Sequence, residues 1–156
     1  MEPSAFDEIA FFTAVSASNV RALVIGRRAL VLLGLPVLTA DYDFWIAIDD
    51  IEALNVVAAR FDLHPTHSPA EARGRGRYVL ENDEHVDVLV ARSLTTVDGR
   101  AVEFERLWQR RHAVRLDDVD IQLPSIEDLI LTKQVASRPK DLEDIRLLRA
   151  LKEPLA

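Results

Sequence analysis

The chain has 156 residues, 49% apolar and 29% charged, a balance that fits one globular domain over 1–156 with a proper core and leaves no room for a second large one. No apolar run approaches the roughly 18 residues of a membrane span, the start Met1-Glu2-Pro3 lacks the basic residues of a signal peptide, and cysteine is absent, so a cytoplasmic protein with no membrane attachment is expected. The formal charge of -7 argues against broad nonspecific nucleic-acid binding, although a local basic patch can coexist with an acidic whole.

Ser4, with Asp7 three residues on, opens a segment in which Phe6, Ile9, Ala10, Phe12 and Thr13 recur at helical spacing, which predicts a helix from Ala5 to Ala17. Leu23 to Ile25 form a short apolar run ending at Gly26, as a buried strand turning sharply into the next element would. Ala29 to Leu33 reads as one or two helical turns, stopped by Gly34 with Pro36 just beyond. From Asp41 the run Asp-Tyr-Asp-Phe-Trp-Ile-Ala-Ile favours a second strand, with Asp41 and Asp43 on one face and Tyr42, Phe44, Ile46 and Ile48 on the other. Two carboxylates two residues apart repel each other, and a divalent cation relieves that repulsion. Oxygen ligands in a chain without cysteine suit Mg²⁺ or Mn²⁺.

Asp49 or Asp50 is expected to cap a helix from Ile51 to Arg60. Leu63 to Arg77 carries His64-Pro65, Ser68-Pro69 and Arg73-Gly74-Arg75-Gly76-Arg77, read as a mobile loop whose arginines either bind phosphate or RNA or are simply solvated. Tyr78 to Glu81 and His85 to Val90 look like strands joined across Asn82-Asp83-Glu84, and Asp87 interrupts an otherwise apolar strand, so it needs a partner or an exposed edge. Asp98-Gly99 marks a turn before a helix from Val102 to Arg111, with Phe104, Leu107 and Trp108 on its apolar face. Ala113 to Leu116 and Val119 to Leu123 flank the hairpin signal Asp117-Asp118. Ser125 caps a helix running to about Ala136, Ser137-Arg138-Pro139 interrupts it, and Lys140 to Lys152 resumes with Leu142, Ile145, Leu148 and Leu151 as the core face. Asp141 and Asp144 share one helix face and can pair with Arg138 or Lys140.

The order of these elements defines an α+β fold with a mixed β-sheet and helices packed mainly on one face. Ile25-Gly26 followed by Asp41-Tyr42-Asp43-Phe44 resembles the nucleotidyltransferase superfamily of DNA polymerase β, in particular its small minimal and abortive-infection-type members. Lys133 followed by Arg138-Pro139-Lys140-Asp141-Leu142-Glu143-Asp144 extends the resemblance to the end of the chain. The resemblance implies a nucleotidyltransferase fold, catalytic and metal-holding roles for Asp41, Asp43 and Asp87, nucleotide binding by Gly26, Arg27 and Lys133, and an Mg²⁺ or Mn²⁺ cofactor. The chain departs from the family pattern at Arg27, where a Gly or Ser is expected. The implied reaction moves a nucleoside monophosphate from an NTP to a hydroxyl on RNA, a protein or a small molecule. The alternative is a catalytically degenerate binding or regulatory module with a partner protein, as in a toxin–antitoxin pair. A metal-dependent phosphohydrolase using the same carboxylates is a third reading.

Overall fold

The computed structural model describes residues 6–152. Its centre is a five-stranded mixed sheet built from β1 (Ala22–Ile25), β2 (Tyr42–Ile46), β3 (His64–Pro65), β4 (Arg77–Glu81) and β5 (His85–Leu89), ordered β1-β2-β5-β4-β3. Neighbouring strands are antiparallel except β2 and β5, which run parallel and pair Asp43 with Asp87. Two hairpins complete the strands: β6 (Ser93–Thr95) with β7 (Ala101–Glu103), and β8 (His112–Leu116) with β9 (Val119–Leu123), the latter turning at Asp117 as its sequence predicts.

Strand alternation divides the core in two. Val24, Phe44, Ile46, Tyr78, Leu80, Val86 and Val88 face the larger cluster, where α1 (Glu8–Ala17), α2 (Gly26–Leu32), α3 (Ile51–Ala59) and α4 (Pro69–Arg75) bury Phe11, Leu30, Leu54 and Ala72. Leu23, Trp45 and Ala47 point the other way and meet Phe104 and Leu107 of α5 (Phe104–Gln109) in a smaller cluster. This smaller cluster covers only part of its face, and the rest lies across from α6 (Ile126–Lys133) and α7 (Pro139–Lys152). The expected α+β architecture with a mixed sheet is the one observed, with α1 to α4 against the larger cluster.

Several local expectations are corrected. Asp7 caps α1, its Oδ1 accepting from the Ala10 N–H at 3.0 Å, and Ser4 lies outside the described residues. The second helix begins at Gly26, ahead of Ala29. Asp50 holds the N-cap position of α3 as expected, but its carboxylate accepts from the Arg21 N–H at 2.9 Å and makes no cap bond, and a 3₁₀ turn over Ile48–Asp50 leads into the helix. The segment read as a mobile loop holds β3 and α4. Ser68 and Glu71 form a reciprocal capping box, Pro69 opens the first turn, and Gly76 at φ +80° closes the helix, so the breaker signals are start and stop signals. Val102 and Glu103 belong to β7, and α5 starts only at Phe104. The helix capped by Ser125 ends at Lys133, short of Ala136. The core face of α7 is Asp141, Asp144, Ile145 and Leu148, while Leu142 and Leu151 are 57% and 42% exposed. Buried ion pairs, which apolar periodicity cannot register, set its rotation.

Candidate active site

The site forms where the smaller cluster stops short of one end of the sheet. Asp43 projects from β2 and Asp87 from β5 as register partners on this face, and Arg77 of β4 emerges beside them. Gly26 follows β1 at φ +67°, a conformation that strains any residue with a Cβ, and a Cβ there would lie 2.8 Å from the Asp43 carboxyl carbon. The glycine therefore serves both the turn and the close approach to Asp43. Asp41 sits just outside β2 on the exposed rim, its N–H donating to Thr39 Oγ1 at 3.1 Å and its carbonyl accepting from Arg28 Nε at 3.3 Å.

Across from the sheet, α6 and α7 supply the opposite wall. Lys133 is buried; its Nζ donates to Asp144 Oδ2 at 2.9 Å and lies 4.0 Å from Asp141 Oδ1. Asp141 in turn accepts from the Arg138 N–H and Nε at 3.0 and 2.9 Å. Arg27 reaches from α2 to the same Asp144, with Nε 3.3 Å from Oδ2 and Nη2 3.2 Å from Oδ1, and Nη1 donates to the Leu38 carbonyl at 3.4 Å. Asp144 is wholly buried, and its Oδ1 receives no well-aligned hydrogen bond, so the Arg27 contact there is chiefly one of charge.

Gly26, Arg27, Asp41, Asp43, Asp87 and Lys133 all line one cavity of about 430 Å³. The six residues singled out in the sequence thus converge, although they come from four separate stretches. Arg77 and Arg138, which had no assigned place in the site, line the same cavity, as does Lys140 from the run that the resemblance placed at the site. Arg77 had been read within a loop, and its alternation with Val79 on β4 was the available signal. Its two companions face elsewhere: Arg73 pairs with Glu52 on α3, and Arg75 ends α4. Trp108 packs beside the smaller cluster beneath the Arg111 guanidinium, whose centre is 4.0 Å from the ring centroid.

The electrostatics of the cavity centre on Asp43. Burial, then the nearby carboxylates of Asp87 and Asp41, push its carboxyl up to about 6, and Lys133 and Lys140 offset this in part. Asp87 is met by two side chains: Arg77 Nη2 is 3.3 Å from Oδ1, and His85 Nε2 is 3.2 Å from Oδ2. The donor set is all oxygen, and an arginine already stands as a cation at Asp87, so the pair Asp43 and Asp87 fits a hard divalent ion. Among the described residues no three His, Asp or Glu side chains converge closely enough to hold an ion by themselves, and Asp41 stays at the rim.

This fold is that of the nucleotidyltransferase class. A family model described as "Nucleotidyltransferase of unknown function (DUF6036)" matches residues 6–152, and the chain belongs to that family. No curated protein matches it by sequence. Among solved structures it is similar to the lincosamide antibiotic adenylyltransferase LnuA in its lincomycin-bound form (14% identity, 96% of this chain and 100% of that one, TM-score 0.64). It is also similar to ANT(2")-Ia in complex with adenylyl-2"-tobramycin (15% identity, 93% and 87%, TM-score 0.65). A third likeness is to an antigenic nucleotidyltransferase-like protein from Paracoccidioides brasiliensis (16% identity, 97% and 81%, TM-score 0.53). At these identities the likeness is one of fold.

Proposed function

We propose that this chain transfers a nucleoside monophosphate from an NTP to a hydroxyl acceptor, releasing pyrophosphate as the α–β phosphate bond breaks, with Asp43 and Asp87 holding Mg²⁺ or Mn²⁺ and Asp41 completing the set from the rim. The observation that carries this reading is the pairing of Asp43 with Asp87 across parallel strands, with Gly26 kept bare against Asp43. When bound, the ion neutralises phosphate charge and lowers the pKa of a coordinated hydroxyl. Lys133, Lys140 and Arg138 line the wall opposite the carboxylates and supply positive charge for a triphosphate. Asp87 acts as base toward the acceptor hydroxyl, and Arg77 and His85 hold its carboxylate in place. The acceptor is a hydroxyl on RNA, a protein or a small molecule.

The competing reading, a degenerate binding module, rested on Arg27 filling the phosphate space. The engagement of its guanidinium by Asp144 weighs against that plug. The test is Mg²⁺-dependent NTP turnover in Asp43→Asn and Asp87→Asn, each expected to lose at least about 100-fold in rate while keeping its fold. Full turnover in either variant would remove the carboxylate pair from the mechanism.

A further inference from the structure

The proposed reaction does not account for the Asp144 arrangement. A wholly buried carboxylate is costly unless its charge is met, and here two cations from different helices meet it: Lys133 from α6 on Oδ2, and Arg27 from α2 across both oxygens. A lysine ammonium is a point donor on a flexible stem, whereas a guanidinium is a planar fork matched to a carboxylate. With Arg27 along the carboxylate edge, Lys133 donates to one oxygen at 2.9 Å, with Asp141 Oδ1 4.0 Å away, and the residue still lines the cavity. Without Arg27, the ammonium could swing between both oxygens and withdraw toward α7.

We propose that Arg27 and Asp144 are positioning residues, the partly buried Arg27 gripping the buried Asp144 so that the Lys133 ammonium is held at the cavity wall where it meets the phosphates of a nucleotide. This role rests on the nucleotide-binding reading above. It assigns a use to the residue at which the chain departs from the superfamily pattern that its sequence resembles. A Ser or Gly at position 27 lacks the length to reach Asp144. Arg27 also ties down the Leu38 carbonyl, so the same side chain links α2, α7 and the segment leading to Asp41.

The test is a double-mutant cycle read in nucleotide affinity. The four common NTPs are titrated calorimetrically with Mg²⁺ into wild type, Arg27→Met, Lys133→Met, the double variant and Arg27→Lys, with circular dichroism recorded for each. Arg27→Met is expected to weaken binding about tenfold, the loss of one well-placed charge contact. In the Lys133→Met background the same change should leave the dissociation constant unaltered, because the ammonium it positions is gone. Arg27→Lys, which keeps a buried positive charge against folding defects, should fall between wild type and Arg27→Met. A purely structural Arg27 would weaken binding equally in both backgrounds, and that result overturns the role, as does unaltered affinity in Arg27→Met. A folded wild type that binds none of the NTPs overturns the nucleotide reading itself and this role with it.

Discussion

Asp43 is held by three unlike neighbours: a glycine that leaves it room, a carboxylate one strand away, and lysines from the far wall. Its carboxyl titrates near 6, against 3.8 in a solvated chain, with burial as the first cause and Asp87 and Asp41 next. A folded-state pKa above the unfolded one means the native chain binds the proton more tightly. The resulting stability is fully present below the unfolded value and is lost as pH rises through about 6. In metal-free protein, Asp43→Asn should therefore stabilise by about 1–2 kcal/mol near pH 8, after allowance for partial solvent screening, and by little near pH 4. Urea unfolding with chelator at both pH values measures this, and an equal gain at both would show that the buried charge of Asp43 is not the cause. The Asp-x-Asp spacing was legible from the sequence alone, whereas the meeting of Asp87 with Asp43 came only from the family resemblance, because strand order is a property of pairing between distant segments.

At the scale of elements, α4 shows how punctuation residues can mislead. Pro and Gly suggest a loop when counted, but Ser68-Pro69 and Gly76 at the two ends of a seven-residue helix are its cap and its stop. Ala72 is buried beneath this helix, and Gly76 brings the chain into β4, which carries Arg77 to the cavity. Ser68→Ala breaks half of the reciprocal cap and should cost about 1 kcal/mol. Thermal unfolding monitored by far-ultraviolet circular dichroism checks that loss, and a change near zero would mean that packing of Ala72 alone holds the helix. Helix α7 makes a complementary point. Its apolar periodicity favoured Leu142 and Leu151 as core, yet the buried face carries Asp141 and Asp144, because Lys133, Arg27 and Arg138 reach them from neighbouring segments.

For the whole molecule, the sheet's two faces have different tasks: one carries the main core, and the other is closed only in part so that a cavity remains. Trp45 anchors the smaller cluster, fully buried and donating from Nε1 to the Ala91 carbonyl at 2.8 Å. Trp45→Ala should cost about 3–5 kcal/mol, leaving a void and an unpaired carbonyl, and should loosen the face that carries Asp43. Denaturant unfolding reads the loss, and a cost under about 1 kcal/mol would mean that the smaller cluster contributes little to the fold. The sequence by itself determined what nearest neighbours decide: the Gly26 turn, the alternation of β2 from Tyr42 onward, the Ser125 cap, the Asp117 hairpin and the mixed α+β character. Only the tertiary structure decided which charges are shared, because burial of a carboxylate depends on partners that local periodicity does not encode. Arg27 and Asp144 stand 117 residues apart, and the fold alone brings them within 3.3 Å. Arg27, at which the sequence departs from the superfamily pattern it resembles, makes the contact that joins α2 to α7.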